Sequence, residues 1–111
     1  MKSNITIQRF PQPVAGGHGG TLSLDSIREV YFIGIGGIGM SAVARYFHAR
    51  GVTVSGYDRT STVLTQALEA EGIPVHYTEE VMSVPSSPDL VVYTPAIPTG
   101  NKELAYCREQ G

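Results

Sequence analysis

The stretch from Val30 to Arg50, VYFIGIGGIGMSAVARYFHAR, limits the possible folds of this chain more than any other. Val30-Tyr31-Phe32-Ile33 is short, β-branched and aromatic, and it runs directly into glycines, as a buried parallel strand does. After the glycines, Ile38, Ala42, Val43, Tyr46 and Phe47 recur at helical spacing, which leaves Arg45 and Arg50 for the solvent side. Gly51 then supplies a left-handed cap. The stretch therefore predicts strand, tight turn and helix in direct succession.

Between the two elements stands Gly34-Ile35-Gly36-Gly37-Ile38-Gly39, the spacing G-x-G-x-x-G in its required context. Each glycine has a mechanical reason. Gly34 permits the tight turn, Gly36 lets backbone approach a pyrophosphate, and Gly39 lets helix pack closely on strand. The free N–H groups and the positive end of the helix dipole then face an anion. Asp58 adds a second signal, because it stands about 20 residues beyond the turn, where an acidic residue closes the next strand.

The rest of the chain supplies further crossover units. Val52 to Gly56 is a second β-prone run, and Thr60, Ser61 and Thr62 offer N-caps for a helix carrying Leu64, Ala67, Leu68 and Glu71 before Gly72. Pro74 to Tyr77 predicts a third strand, Glu79 to Met82 a helical turn, and Leu90 to Thr94 a fourth strand buried on both faces. Pro95-Ala96-Ile97-Pro98 stiffens the chain after it. Asn101 to Gln110 reads as a last helix, with Leu104, Ala105 and either Cys107 or Arg108 inward.

Strands that alternate with helices over short connections imply a parallel sheet. The expected fold is α/β, a Rossmann-like three-layer domain over residues 25–111 with its four predicted strands in the order 3-2-1-4. A ligand then lies over Gly36 to Ser41, with Asp58 on one side and Thr94 to Ile97 on the other. Residues 1–24, with Pro11, Pro13 and the run Gly16-Gly17-His18-Gly19-Gly20, read as a flexible leader in which Ile5-Thr6-Ile7 can pair as an edge strand. Asp25 to Glu29 reads as one helical turn before the first strand.

Composition removes several classes of function. In 111 residues the hydrophobic share is 41% and the charged share 16%, which fits one globular domain. A formal net charge of -2 argues against nucleic acid as a partner. No basic segment followed by an apolar stretch opens the chain and no window suits a membrane span, so a cytoplasmic protein without a membrane partner is expected. The one cysteine, Cys107, reads as a helix residue without chemical role. His18, His48 and His76 are too dispersed for a metal site, and no nucleophile triad is recognisable.

The turn departs from an ordinary dinucleotide fingerprint in its fourth glycine, Gly37, and in its continuation Met40-Ser41. Ser41 can donate its hydroxyl to a phosphate or simply bond within the first helical turn. The string GIGG-x-GMS, followed by Val54-Ser55-Gly56-Tyr57-Asp58 and by Thr94-Pro95-Ala96-Ile97 with Asn101, resembles the amino-terminal domain of the Mur ligases. The likeness runs from about Leu24 to Gly111 and is strongest to those members that act on UDP-N-acetylmuramate and L-alanine.

That resemblance implies a role in bacterial peptidoglycan synthesis. The full-length enzyme joins L-alanine to the lactyl carboxylate of UDP-N-acetylmuramate, using ATP and Mg2+, through an acyl phosphate. The domain present here holds the UDP part and carries no cofactor and no catalytic residue. By resemblance, Gly34 shapes the turn, Gly36, Gly37, Ile38, Gly39 and Met40 offer backbone N–H groups to the diphosphate, and Ser41 adds a hydroxyl. Asp58 and Arg59 lie by the ribose or uracil, and Thr94, Ala96 and Ile97 line the opposite wall. Thr78-Glu79 stands where the family often has Gly-His.

No G-x-x-x-x-G-K-S/T loop occurs, so the resemblance places the ATP-binding and C-terminal domains beyond Gly111. Three alternatives remain. An NAD(H)-binding domain of a dehydrogenase or redox sensor fits the three glycines and Asp58. A structural domain without a ligand does not need four glycines and their entropy cost. A related ligase that recycles murein peptide has a loop that departs from GIGG-x-GMS.

Overall fold

The computed structural model describes residues 6–9, 26–86, 88–94, 96–98 and 100–110. Its strands are β1 (Thr6–Arg9), β2 (Glu29–Ile33), β3 (Thr53–Tyr57), β4 (Val75–His76) and β5 (Leu90–Tyr93). Its α-helices are α1 (Ile38–Ala49), α2 (Val63–Ala70) and α3 (Lys102–Gln110), and a 3-10 turn covers Val81–Ser83. The sheet order is β1-β5-β2-β3-β4. Pairs β2–β3, β2–β5 and β3–β4 are parallel, so the predicted order 3-2-1-4 is the one observed.

The strand β1 extends this sheet antiparallel to β5, with Thr6 opposite Tyr93 and Arg9 opposite Leu90. It overlaps the stretch for which edge pairing was open and lies inside the segment read as a leader. The rest of the expected leader, residues 1–5 and 10–24, and Asp25 of the expected helical turn lie outside the described residues. Glu29 belongs to β2 instead of a preceding helical turn, because its N–H and that of Arg28 both donate to Asp89 Oδ2, at 3.0 and 2.8 Å. Asp89 thereby fastens the start of β2 to the start of β5.

Alternation along β2 builds a core on each face of the sheet. Val30 and Phe32 join Met40, Ala44, Phe47, Val54 and Leu68 under α1 and α2. Tyr31 and Ile33 join Tyr57, Val91, Leu104 and Cys107 under α3. Full burial of one such large side chain contributes about 1.5–3 kcal/mol, so β2 anchors both layers.

Two helix faces differ from the sequence reading. The buried residues of α1 are Met40, Ser41, Ala44 and Phe47, whereas Ile38 is 87% exposed and Tyr46 is 46% exposed. Apolar residues surround this helix on most sides, and the departure angle set by the glycine turn selects the stripe that meets the sheet. On α3, Glu103, Leu104 and Cys107 are buried, whereas Ala105 and Arg108 are exposed. Asn101 caps this helix by accepting from the N–H groups of Glu103 and Leu104 at 2.9 and 3.1 Å.

Burial pushes the Cys107 thiol up to about 11 from the usual 9.0, with nearby Glu103 adding to the shift, and burial also raises the Tyr31 phenol. Both groups favour the protonated form in the folded state. Their contribution is therefore whole below the unfolded value and is lost as pH rises through the folded one. Urea unfolding should show stability falling from about pH 9 upward. In Cys107→Ala that fall should be shallower between pH 9 and 11; an unchanged slope would contradict the burial of the thiol.

Candidate functional site

The glycine turn sits at the carboxyl end of β2, where the chain leaves toward β3 on one side and β5 on the other. Such a switch point opens a crevice above a parallel sheet. Gly34 makes the turn with φ of +90°, and its N–H and that of Ile35 donate to Tyr57 O at 2.7 and 3.0 Å. The turn is thus tied to the end of β3. Gly37 N–H donates to Gly34 O at 3.2 Å and closes it.

Asp58 follows directly. Its Oδ2 accepts from Gly36 N–H at 2.7 Å and its Oδ1 from Thr60 N–H at 3.0 Å, while its own N–H donates to His76 O at 3.1 Å. A Cβ on Gly36 would stand 2.7 Å from Asp58 Oδ2 and 2.8 Å from Thr65 Cγ2. The close approach that Gly36 permits in this structure is therefore made by Asp58 and α2. Thr65 is held there by a reciprocal cap with Thr62, each side chain accepting from the other's backbone N–H.

At the mouth of α1 the N-cap is Gly37, which has no side chain to satisfy the first helical N–H groups. Ile38, Gly39 and Met40 therefore present N–H groups with no side-chain cap, at the positive end of a 12-residue helix. Ser41 is buried and donates its hydroxyl to Ile38 O at 3.0 Å, so in this arrangement its proton serves the helix. The Met40 side chain is buried in the core, which leaves its backbone as the part that can meet a ligand.

Thr94, Ala96 and Ile97 follow β5. Ala96 N–H donates to Thr94 Oγ1 at 3.2 Å and Ile97 N–H to Thr94 O at 3.0 Å. Ile97 Cδ1 lies 2.8 Å from where a Gly34 Cβ would be, so Ile97 packs directly on the turn. Arg59 is exposed beside Asp58. The structure thus brings the turn together with Asp58 and Ile97, and leaves Ile38 exposed.

One cluster had no sequence signal. Glu103, fully buried on α3, accepts from the Tyr31 hydroxyl, from His76 Nε2 at 2.7 Å and from Glu80 N–H at 2.9 Å. Burial, then the bond to Glu103, raises the Tyr31 phenol far above its ordinary value. An acid in the first turn of a helix reads as a complement to the helix dipole, and only tertiary packing shows its partners. His48 lies apart, its Nε2 bonded to Glu71 O at 2.8 Å. Among the described residues, no three His, Cys, Asp or Glu side chains converge to hold a metal.

The model described as Mur ligase family, catalytic domain, matches residues 29–111. The chain belongs to the Mur ligase family. Relatives of this Mur ligase chain include the UDP-N-acetylmuramate--L-alanine ligases of Porphyromonas gingivalis, 53% identical over 90 residues, and Cytophaga hutchinsonii, 53% identical over 95 residues. These alignments cover 77% and 81% of this chain and 20% of each relative, so the chain spans about a fifth of their length. A crystal structure of UDP-N-acetylmuramate-alanine ligase MurC from Thermotoga maritima superposes with a TM-score of 0.67 at 33% identity, covering 74% of this chain and 19% of that one. The Rossmann-like α/β fold of a Mur ligase is thus supported by both sequence and shape.

Proposed function

We propose that this chain is the sugar-nucleotide-binding part of a UDP-N-acetylmuramate:L-alanine ligase and that it holds the UDP moiety of UDP-N-acetylmuramate over the glycine turn. The observation that carries the reading is the start of α1, which has no side-chain cap and follows a glycine turn packed against Asp58 and Ile97, in a chain 53% identical to ligases of that name. Gly37 and the N–H groups of Ile38, Gly39 and Met40 receive the diphosphate, each dipole-assisted contact contributing about 0.3–1 kcal/mol. Asp58 and Arg59 face the ribose and base, and Ala96 and Ile97 close the far side.

L-Alanine, ATP and Mg2+ are reactants and ion of the whole ligase in this reading. In the same reading the chain contributes binding and orientation of the sugar nucleotide. No described helix is long and apolar enough to cross a membrane, and the proposed reading, in which the whole ligase consumes ATP, takes the cytoplasm as its location. The dinucleotide alternative drew on three glycines and Asp58 alone; membership in a ligase family favours the sugar nucleotide.

Titration of the chain with UDP-N-acetylmuramate, followed by amide chemical shifts, should move Gly37 to Ser41, Asp58, Ala96 and Ile97. NADH should move none of them. A response to NADH without one to the sugar nucleotide would overturn the proposal.

A further inference from the structure

The carboxylate of Asp58 occupies the N–H of Gly36, one of the groups that a bound anion would be expected to take. Among the described residues no cation is seen paired with this carboxylate, whereas Glu71 pairs with Arg45 and Glu103 with His76. The crevice therefore carries a negative charge of its own beside the positive start of α1. A cradle built to hold any phosphate would not place a carboxylate there, since like charges at close range repel.

We infer that Asp58 is a charge filter, admitting a diphosphate that arrives attached to a nucleoside and turning away bare pyrophosphate. This rests on reading the turn as a diphosphate cradle and adds the means by which it discriminates. A carboxylate has about four lone-pair sites and accepts only. Two are taken here, by Gly36 N–H and Thr60 N–H. The remaining ones suit donors, such as the hydroxyls of a ribose, and offer nothing to an oxyanion without protons. A nucleoside diphosphate recovers through its sugar what its phosphates lose to repulsion. Bare pyrophosphate has only the loss.

Both backbone bonds also pin the carboxylate, so the charge cannot swing into solvent when an anion enters. Asp58→Asn keeps the shape and removes the charge. Its amide has a single acceptor oxygen, so one of the two backbone N–H groups is released to an incoming anion. Asp58→Ser is a second neutral variant, short enough to keep a bond to Thr60 N–H.

The test is calorimetric titration of the wild-type chain and both variants with UDP and with inorganic pyrophosphate, after thermal melts establish that each variant folds. The wild type should prefer UDP by about tenfold or more, the loss typical of one charged hydrogen bond. In Asp58→Asn pyrophosphate should bind about threefold tighter and UDP weaker, so the two affinities converge. The gain for pyrophosphate should shrink with added salt. Pyrophosphate binding that is unchanged or weaker in the folded neutral variants overturns the filter and leaves the sugar-nucleotide reading intact. A wild type that binds neither ligand, with variants that bind pyrophosphate, supports the filter and overturns the uridine reading. Silence in all three chains overturns both.

Discussion

Replacing Glu103 by alanine should destabilise the chain by about 2–5 kcal/mol, because one buried carboxylate accepts three hydrogen bonds there. Glu103 is wholly buried and joins four segments: β2 through Tyr31, β4 through His76, the 3-10 turn through Glu80 N–H, and its own helix α3. Alanine would leave the Glu80 N–H without its acceptor and the Tyr31 hydroxyl with only His76 Nε2, 3.1 Å away, to turn to, and each lost bond costs about 1–3 kcal/mol. Against a total stability of about 5–15 kcal/mol, that loss brings a domain of this size near its unfolding threshold. Glu103→Gln should cost less, because it keeps one acceptor while turning an NH2 toward a donor. Urea unfolding of both variants, with Tyr31→Phe and the double variant, gives the coupling directly. A coupling below about 0.5 kcal/mol between positions 31 and 103 would show that the buried bond contributes nothing beyond packing.

Much of the sheet was legible because the signals that define it are local. A β-branched run ending in glycines marks β2, and Gly34 at φ of +90° is the turn residue its position demands. Thr62 is the N-cap among three neighbouring candidates, because it alone reaches Thr65 N–H in a reciprocal pair. The short apolar run of β5 has a parallel partner because the crossover rule leaves it little choice.

What could not be read depends on partners distant in sequence. The seat of β1 against β5 pairs Thr6 with Tyr93, and nothing in Thr6–Arg9 names that partner or its antiparallel sense. The inner face of α1 is undecided by spacing, since Ile38, Met40, Ala42, Val43, Ala44, Tyr46 and Phe47 ring the helix. Packing buries Met40, Ala44 and Phe47 and leaves Tyr46 edge-on to Phe47 with Arg50 above its ring. Within the site, the turn and Asp58 were legible separately, but not the bond from Gly36 N–H to Asp58 Oδ2 that joins them.

Gly56 links the sheet to the turn and supports the second large effect. It sits in β3 opposite Phe32, and a Cβ there would stand 2.9 Å from Phe32 O and 2.8 Å from Ile35 Cδ1. Ile35 can shift its methyl, but the Phe32 carbonyl belongs to the central strand and is fixed by the ladder. Gly56→Ala should therefore cost about 1–3 kcal/mol as overpacking, and Gly56→Val more. The strain should also reach the turn, because Ile35 lies within it and bonds through its N–H to Tyr57 O. A displacement near 1 Å there should weaken UDP-sugar binding by about tenfold or more. Gly51→Ala is the control. It carries φ of +83° with nothing within 4 Å of the new Cβ, so it should lose about 1–2 kcal/mol to backbone strain alone and keep its affinity. Thermal melts paired with titrations separate the two, since similar losses of stability should accompany very different losses of binding. If both variants bind equally well, the turn is not held by β3, and the route from Gly56 through Ile35 to the crevice is wrong.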